Sequence, residues 1–132
     1  MSTRRTLLQA LVGLLAVPRK AAAQAVVARV VHRQPLAPPF DAFEANFVEV
    51  TVPPGASSSA HRHSGMVLGY VLEGEFKFGV NGEEPRTLRA GEVFYEAPDG
   101  VHTTSESASV DRPAKVLAII VGEKGKPLTT PA

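Results

Sequence analysis

From residue 25 onward the chain alternates between short runs of strand-forming residues and clusters of turn formers. "AVVARVV" (25–31) is β-branched, and the following "HRQPLAPPF" is too rich in proline to be a central strand. "NFVEVTV" places Val48, Val50 and Val52 on one face and is stopped by Pro53, Pro54 and Gly55. "VLGYVLEGE" and "EFKFGV" lead to Asn81-Gly82, a strong short hairpin signal. "EVFYE" (92–96) is a further short strand, and "KVLAIIV" (115–121) is the continuous apolar run of a buried one. No stretch after the first 23 residues has helical periodicity. Many short strands with regular turns predict an all-β domain, as a sandwich, jelly roll or closed barrel. The expected organisation is an N-terminal arm or edge strand (24–44), a barrel (45–121) and a flexible tail (122–132).

The first segment has a different pattern. Arg4 and Arg5 precede an apolar stretch from Leu7 to Val17, and small residues follow at Ala21, Ala23 and Ala25. This basic head, short apolar middle and small-residue exit is the layout of a signal peptide, here residues 1–23. "STRRTLL" resembles the twin-arginine type, which makes the predicted location periplasmic or secreted. The alternative is an N-terminal amphipathic helix or an uncleaved anchor. The stretch is too short to span a bilayer, so no membrane association is predicted after cleavage.

Charge and composition narrow the partners. Removing residues 1–23 leaves 10 Lys/Arg against 13 Asp/Glu. A mildly acidic domain without a basic stripe excludes nucleic acid as an expected partner and leaves a small-molecule ligand or substrate. There is no cysteine, so disulfides and thiolate metal sites are excluded.

Histidine carries the candidate chemistry. Of four in the chain, His61 and His63 stand two apart. Positions i and i+2 of a strand share a face, so both imidazoles can reach one metal ion, with Arg62 turned away. His102, after the turn formers Pro98-Asp99-Gly100, is the best third ligand. His32 lies in the proline-rich region and is set aside.

The glycine pattern around these histidines resembles the cupin superfamily. Gly55, five residues, His61-x-His63 and Gly74 follow its first motif, and Gly91 and His102 stand at the separation of its second. The resemblance implies a small single-domain jelly-roll barrel, or double-stranded β-helix. In its mouth it would hold a divalent transition metal (iron, manganese, zinc, nickel or copper) on His61, His63 and His102. Three departures stand out. Val67 occupies the position of the family's glutamate ligand. Ala97 and Asp99 replace the second motif's proline and glycine. Glu106 stands where the family has asparagine. Glu96 or Glu106 could substitute for the missing carboxylate. Val67, Gly69 and Val71 share the inward face and are candidate pocket-lining residues, with Gly69 leaving room over the metal. Tyr95 is a further pocket or core candidate. Phe76 and Phe78 suit a core or the interface of a homodimer, the pairing common among small cupins.

A three-imidazole site leaves the ion's double charge uncompensated and favours an anionic, bidentate ligand. The first functional expectation is therefore an oxygen-dependent dioxygenase, with no general base apparent. A non-catalytic periplasmic cupin that binds a metal or small molecule is the alternative. An isomerase or epimerase is the third reading and would need an acid–base pair in the pocket.

Overall fold

The structure, a computed structural model, describes residues 24–132. The segment assigned as signal peptide, residues 1–23, lies outside the described residues. Ten strands and no helix occur among those described: β1 Val27–Pro35, β2 Phe43–Val52, β3 His61–Arg62, β4 Met66–Glu73, β5 Glu75–Val80, β6 Arg86–Arg89, β7 Val93–Glu96, β8 Val101–Ser107, β9 Ala114–Glu123 and β10 Thr130–Pro131. They form two antiparallel five-stranded sheets, ordered β1-β2-β9-β4-β7 and β10-β3-β8-β5-β6. This is the all-β, jelly-roll-like architecture that the strand pattern predicts, and β1 is an edge strand.

Alternation decides which side chains meet between the sheets. Val67, Gly69 and Val71 of β4 face inward, as do Ala114, Val116, Ala118 and Ile120 of β9 and Phe76 and Phe78 of β5. Together with Val48, Val52, Leu88 and Phe94 they make one core. The other face of β9 is only half-buried, so Leu117 and Ile119 are not core residues as a continuous apolar run implies. With Leu68, Tyr70, Val93 and Tyr95 they give the first sheet an apolar outer face. Phe76 and Phe78 are buried within the domain, so they are core rather than interface.

From β2 onward the chain changes sheet at every connection except the β5–β6 hairpin. Left-handed backbone occurs at several of these switches. Gly74, between β4 and β5, has φ 73°, and a Cβ there would collide with the Pro113 carbonyl. Only glycine makes that corner without strain. The turn between β7 and β8 explains two departures from the family motif. Gly100 donates to the Ala97 carbonyl, so Pro98 and Asp99 are the central residues, and Asp99 has φ 60°. Proline followed by a left-handed residue is the type II pattern. Aspartate tolerates that region better than most side chains, so it can stand in for glycine.

Gly69 has a different role from the one its position suggests. A Cβ at Gly69 would overlap the ring of Phe94, its cross-strand partner on β7. The missing side chain makes room for Phe94, which packs on Phe76 and Phe78 at centroid distances of 5.4 and 4.7 Å. Gly69→Ala should therefore lower stability by about 1–3 kcal/mol through overpacking. Phe94→Leu in the same chain should return part of that loss, read from urea unfolding midpoints.

Candidate metal centre

The three histidines come from two adjacent strands of the second sheet. β3 and β8 pair so that His61 lies directly opposite His102, and His63 follows just beyond the end of β3. Their ligand atoms all lie within 4.8 Å of one another. The ring centroids of His61 stand 5.0 Å from His63 and 4.9 Å from His102. Because β3 is two residues long, its position depends on its surroundings. Asp99 N–H donates to the His63 carbonyl at 2.9 Å, and Arg62 Nη1 donates to the Asp99 carbonyl at 2.7 Å. The β7–β8 turn thus holds the end of β3 in register.

Hydrogen bonds decide which ring nitrogen is free. His61 Nδ1 is 2.7 Å from the Ser59 carbonyl, and His63 Nδ1 is 2.8 Å from the Leu128 carbonyl. A carbonyl oxygen only accepts, so both Nδ1 atoms carry the proton and both Nε2 atoms keep a lone pair. This is the usual outer-shell arrangement of metal-ligating histidine. His102 differs: its Nδ1 is 3.5 Å from Glu96 Oε1, and both residues are buried. His102 Nε2 and Glu96 Oε1 are two of three buried side-chain polar atoms without a hydrogen-bond partner among the described residues. An orphaned ring nitrogen beside two free Nε2 atoms fits a cation that accepts lone pairs. The donor set therefore suits a divalent transition ion.

Burial also sets the protonation states. His102 is pushed down to about 4 by desolvation, with repulsion from His61 and His63 adding to it. His63 is lowered by the same burial, against the opposing effect of its bond to Leu128. Burial pushes the Glu96 carboxyl up to about 7. His63 and His102 are thus neutral at neutral pH, the state that ligates a metal. Because His102 is uncharged there, its contact with Glu96 is not an ion pair.

Glu96 brings a carboxyl to the cavity wall from the strand opposite Val67. The two residues are cross-strand partners on β4 and β7 and so share the inward face. Glu106 lies elsewhere on β8, paired with Lys77. Alternation in Val93–Glu96 carried the signal, because Glu96 shares parity with the core residue Phe94. The same parity turns Tyr95 outward, 54% exposed, so it is neither pocket nor core.

A cavity of about 550 Å³ lies between the sheets, with His61, His63, His102 and Glu96 in its wall. Val67, Gly69 and Val71 face the core beside it and do not line it. Its apolar wall comes instead from the inner faces of β2 and β9 and from Val26, Ala28 and Val30 near the N-terminal edge. His32 is exposed on the Phe47 side of β1 and takes no part.

The C-terminal segment, a flexible tail by its sequence, contributes to the cavity wall and to the placement of His63. Thr130 and Pro131 pair with Arg62 and His61, and Ala132 N–H donates to the Ala60 carbonyl at 3.2 Å. Ser64 Oγ donates to the Pro127 carbonyl at 3.0 Å, and Leu128 and Thr129 line the cavity. The pairing is long-range in sequence and two residues long, so no local periodicity announces it. A chain shortened to residue 126 loses the acceptor that fixes His63. It should release a divalent ion about 10–100-fold more readily in chelator competition, with its β-sheet circular dichroism spectrum kept.

Comparisons with known proteins agree with this architecture. No curated protein sequence matches the chain. Among solved structures, a protein with a double-stranded β-helix domain from Klebsiella pneumoniae is similar at TM-score 0.63 and 17% identity, covering 86% of this chain and 88% of that one. A cupin-like protein from Thermotoga maritima is similar at TM-score 0.62 and 20% identity, over 81% and 75% of the two chains. The DMSP lyase DddQ from Ruegeria pomeroyi matches at TM-score 0.59 and 23% identity, over 67% of this chain. This chain spans 43% of that lyase. At these identities the likeness is one of fold. A model of the cupin domain matches residues 48–120, more than half of the sequence, and the chain belongs to the cupin family.

Proposed function

We propose that this cupin is a metal-dependent protein whose centre is held by His61, His63 and His102, and that it acts as an oxygen-dependent dioxygenase on a small anionic, bidentate substrate. The observation that carries the reading is the neutral donor set: three imidazoles converging with no carboxylate among them. Such an ion would supply uncompensated positive charge for an anionic head and, where redox-active, the capacity for oxygen chemistry.

The chain's own residues would act around it. Ser59 and Leu128 fix the rings of His61 and His63 through their carbonyls. The walls of β2 and β9 exclude water from the reacting group, which strengthens electrostatic attraction there. Glu96, standing behind His102, would orient that ring as a carboxylate–histidine pair.

Glu96 also favours a second reading. A carboxyl group in the same cavity supplies the acid–base partner that isomerase or lyase chemistry requires, and such chemistry consumes no oxygen. Metal bound without turnover would mark the third reading, a binding protein.

The test is direct. The purified protein should hold about one divalent transition ion per chain, and His61→Ala with His63→Ala should abolish it while the β fold remains. Oxygen uptake with β-diketone or thiol substrates selects the dioxygenase. Turnover without oxygen uptake selects proton-transfer chemistry. Metal content that survives the double replacement places the site elsewhere.

Export is proposed on the sequence alone. Arg4→Lys with Arg5→Lys should hold the precursor in the cytoplasm if the twin-arginine route is used. Unchanged appearance of the processed protein in the periplasm would reject that route.

A further inference from the structure

The cavity carries information on its ligand in the residues it lacks. Among the described residues neither lysine nor arginine lines it, and the ionisable groups in its wall are the three histidines and Glu96. Three basic side chains outside its wall have partners of their own. Arg62 donates to the Asp99 carbonyl, Lys115 lies 3.9 Å from Glu49, and Lys126 lies 2.8 Å from Glu123. A carboxylate or phosphate laid against the buried side chains of β9 would therefore lose water without gaining a counter-charge, which proteins avoid.

The opposite wall is hydrocarbon. Val48 and Val50 of β2, with Val116, Ala118 and Ile120 of β9, face the histidine-bearing sheet across the cavity. Leu128 adds to the apolar lining. At about 550 Å³ the space falls within the ~300–1,000 Å³ that buries a small organic ligand.

We infer that the ligand is a monoanion with one compact bidentate head at the histidines and an uncharged, apolar body laid against β2 and β9. Dicarboxylates, sugar acids and phosphorylated compounds do not fit this wall. The inference rests on the reading that His61, His63 and His102 hold a metal, and it specifies the substrate class of that same centre.

Full-length processed protein loaded with cobalt(II) provides the probe. Acetohydroxamate, butanohydroxamate and hexanohydroxamate share one monoanionic bidentate head and differ only in their tails. Binding is read from the visible spectrum of the cobalt form. Affinity should rise about fourfold for each methylene the wall buries, and malonate should bind no better than acetohydroxamate. A series flat in tail length, or malonate binding more tightly than hexanohydroxamate, would overturn the inference while leaving a cobalt-binding centre intact. If no cobalt is retained, or if His61→Ala with His63→Ala binds the series equally well, the metal reading and this inference fall together.

A second variant tests the missing cation. Val30 lines the cavity from the exposed edge strand β1, so Val30→Lys is compatible with folding. It should raise malonate affinity at least tenfold and by more than it raises that of acetohydroxamate. No gain for malonate would show that absence of a cation is not what excludes a second charge.

Discussion

The site depends on one cross-strand pair, His61 opposite His102. Side chains on a strand alternate, so a slip of one residue between β3 and β8 would send an imidazole to the outer face. A strand as short as His61–Arg62 cannot specify its own register by burial. Its register comes from three neighbours: the Asp99 turn, the paired β8 and the C-terminal strand β10. The departures at Ala97 and Asp99 do not weaken this support. Pro98 and Asp99 are the central residues of a type II turn, and Asp99 contributes both its N–H and its carbonyl to holding β3.

Desolvation then governs the chemistry. Two buried histidines favour the neutral form and a buried carboxyl favours its protonated form, all by exclusion of water. The arrangement leaves polar atoms unpaired, at a cost of about 1–3 kcal/mol each. A divalent cation among the three Nε2 atoms would remove the orphan on His102 and favour ionisation of Glu96. The groups that make the metal-free site costly are thus the ones that a cation would stabilise. This complementarity supports a metal centre more strongly than histidine spacing alone.

What was legible in the sequence was local or nearly so. The H-x-H pair and the turn glycines act through neighbouring backbone, His102 is marked by its spacing from Gly91, and the inward parity of Val67, Gly69 and Val71 follows from alternation. What escaped was non-local. Gly69 is small because Phe94 lies across from it, on a strand that begins more than twenty residues later. The lining of the cavity by β2 and β9 depends on how the sheets stack. The tail showed no pattern, because its contribution is a Leu128 backbone carbonyl that any residue could supply.

Val67 and Glu96 show how a fold can relocate a charge without moving its site. Cross-strand partners on one face place their Cβ atoms about 5 Å apart, so a carboxyl at either position enters the same small volume. Two there at once would repel or share a proton, and a buried valine opposite a buried glutamate avoids that conflict. Val67 packs in the core and does not line the cavity, whereas Glu96 stands in its wall, 3.5 Å from the Nδ1 side of His102. From there it can tune an imidazole without occupying a coordination position. The candidate metal site is therefore a group of three imidazoles backed by one carboxyl, with the hydrocarbon wall of β2 and β9 across the cavity.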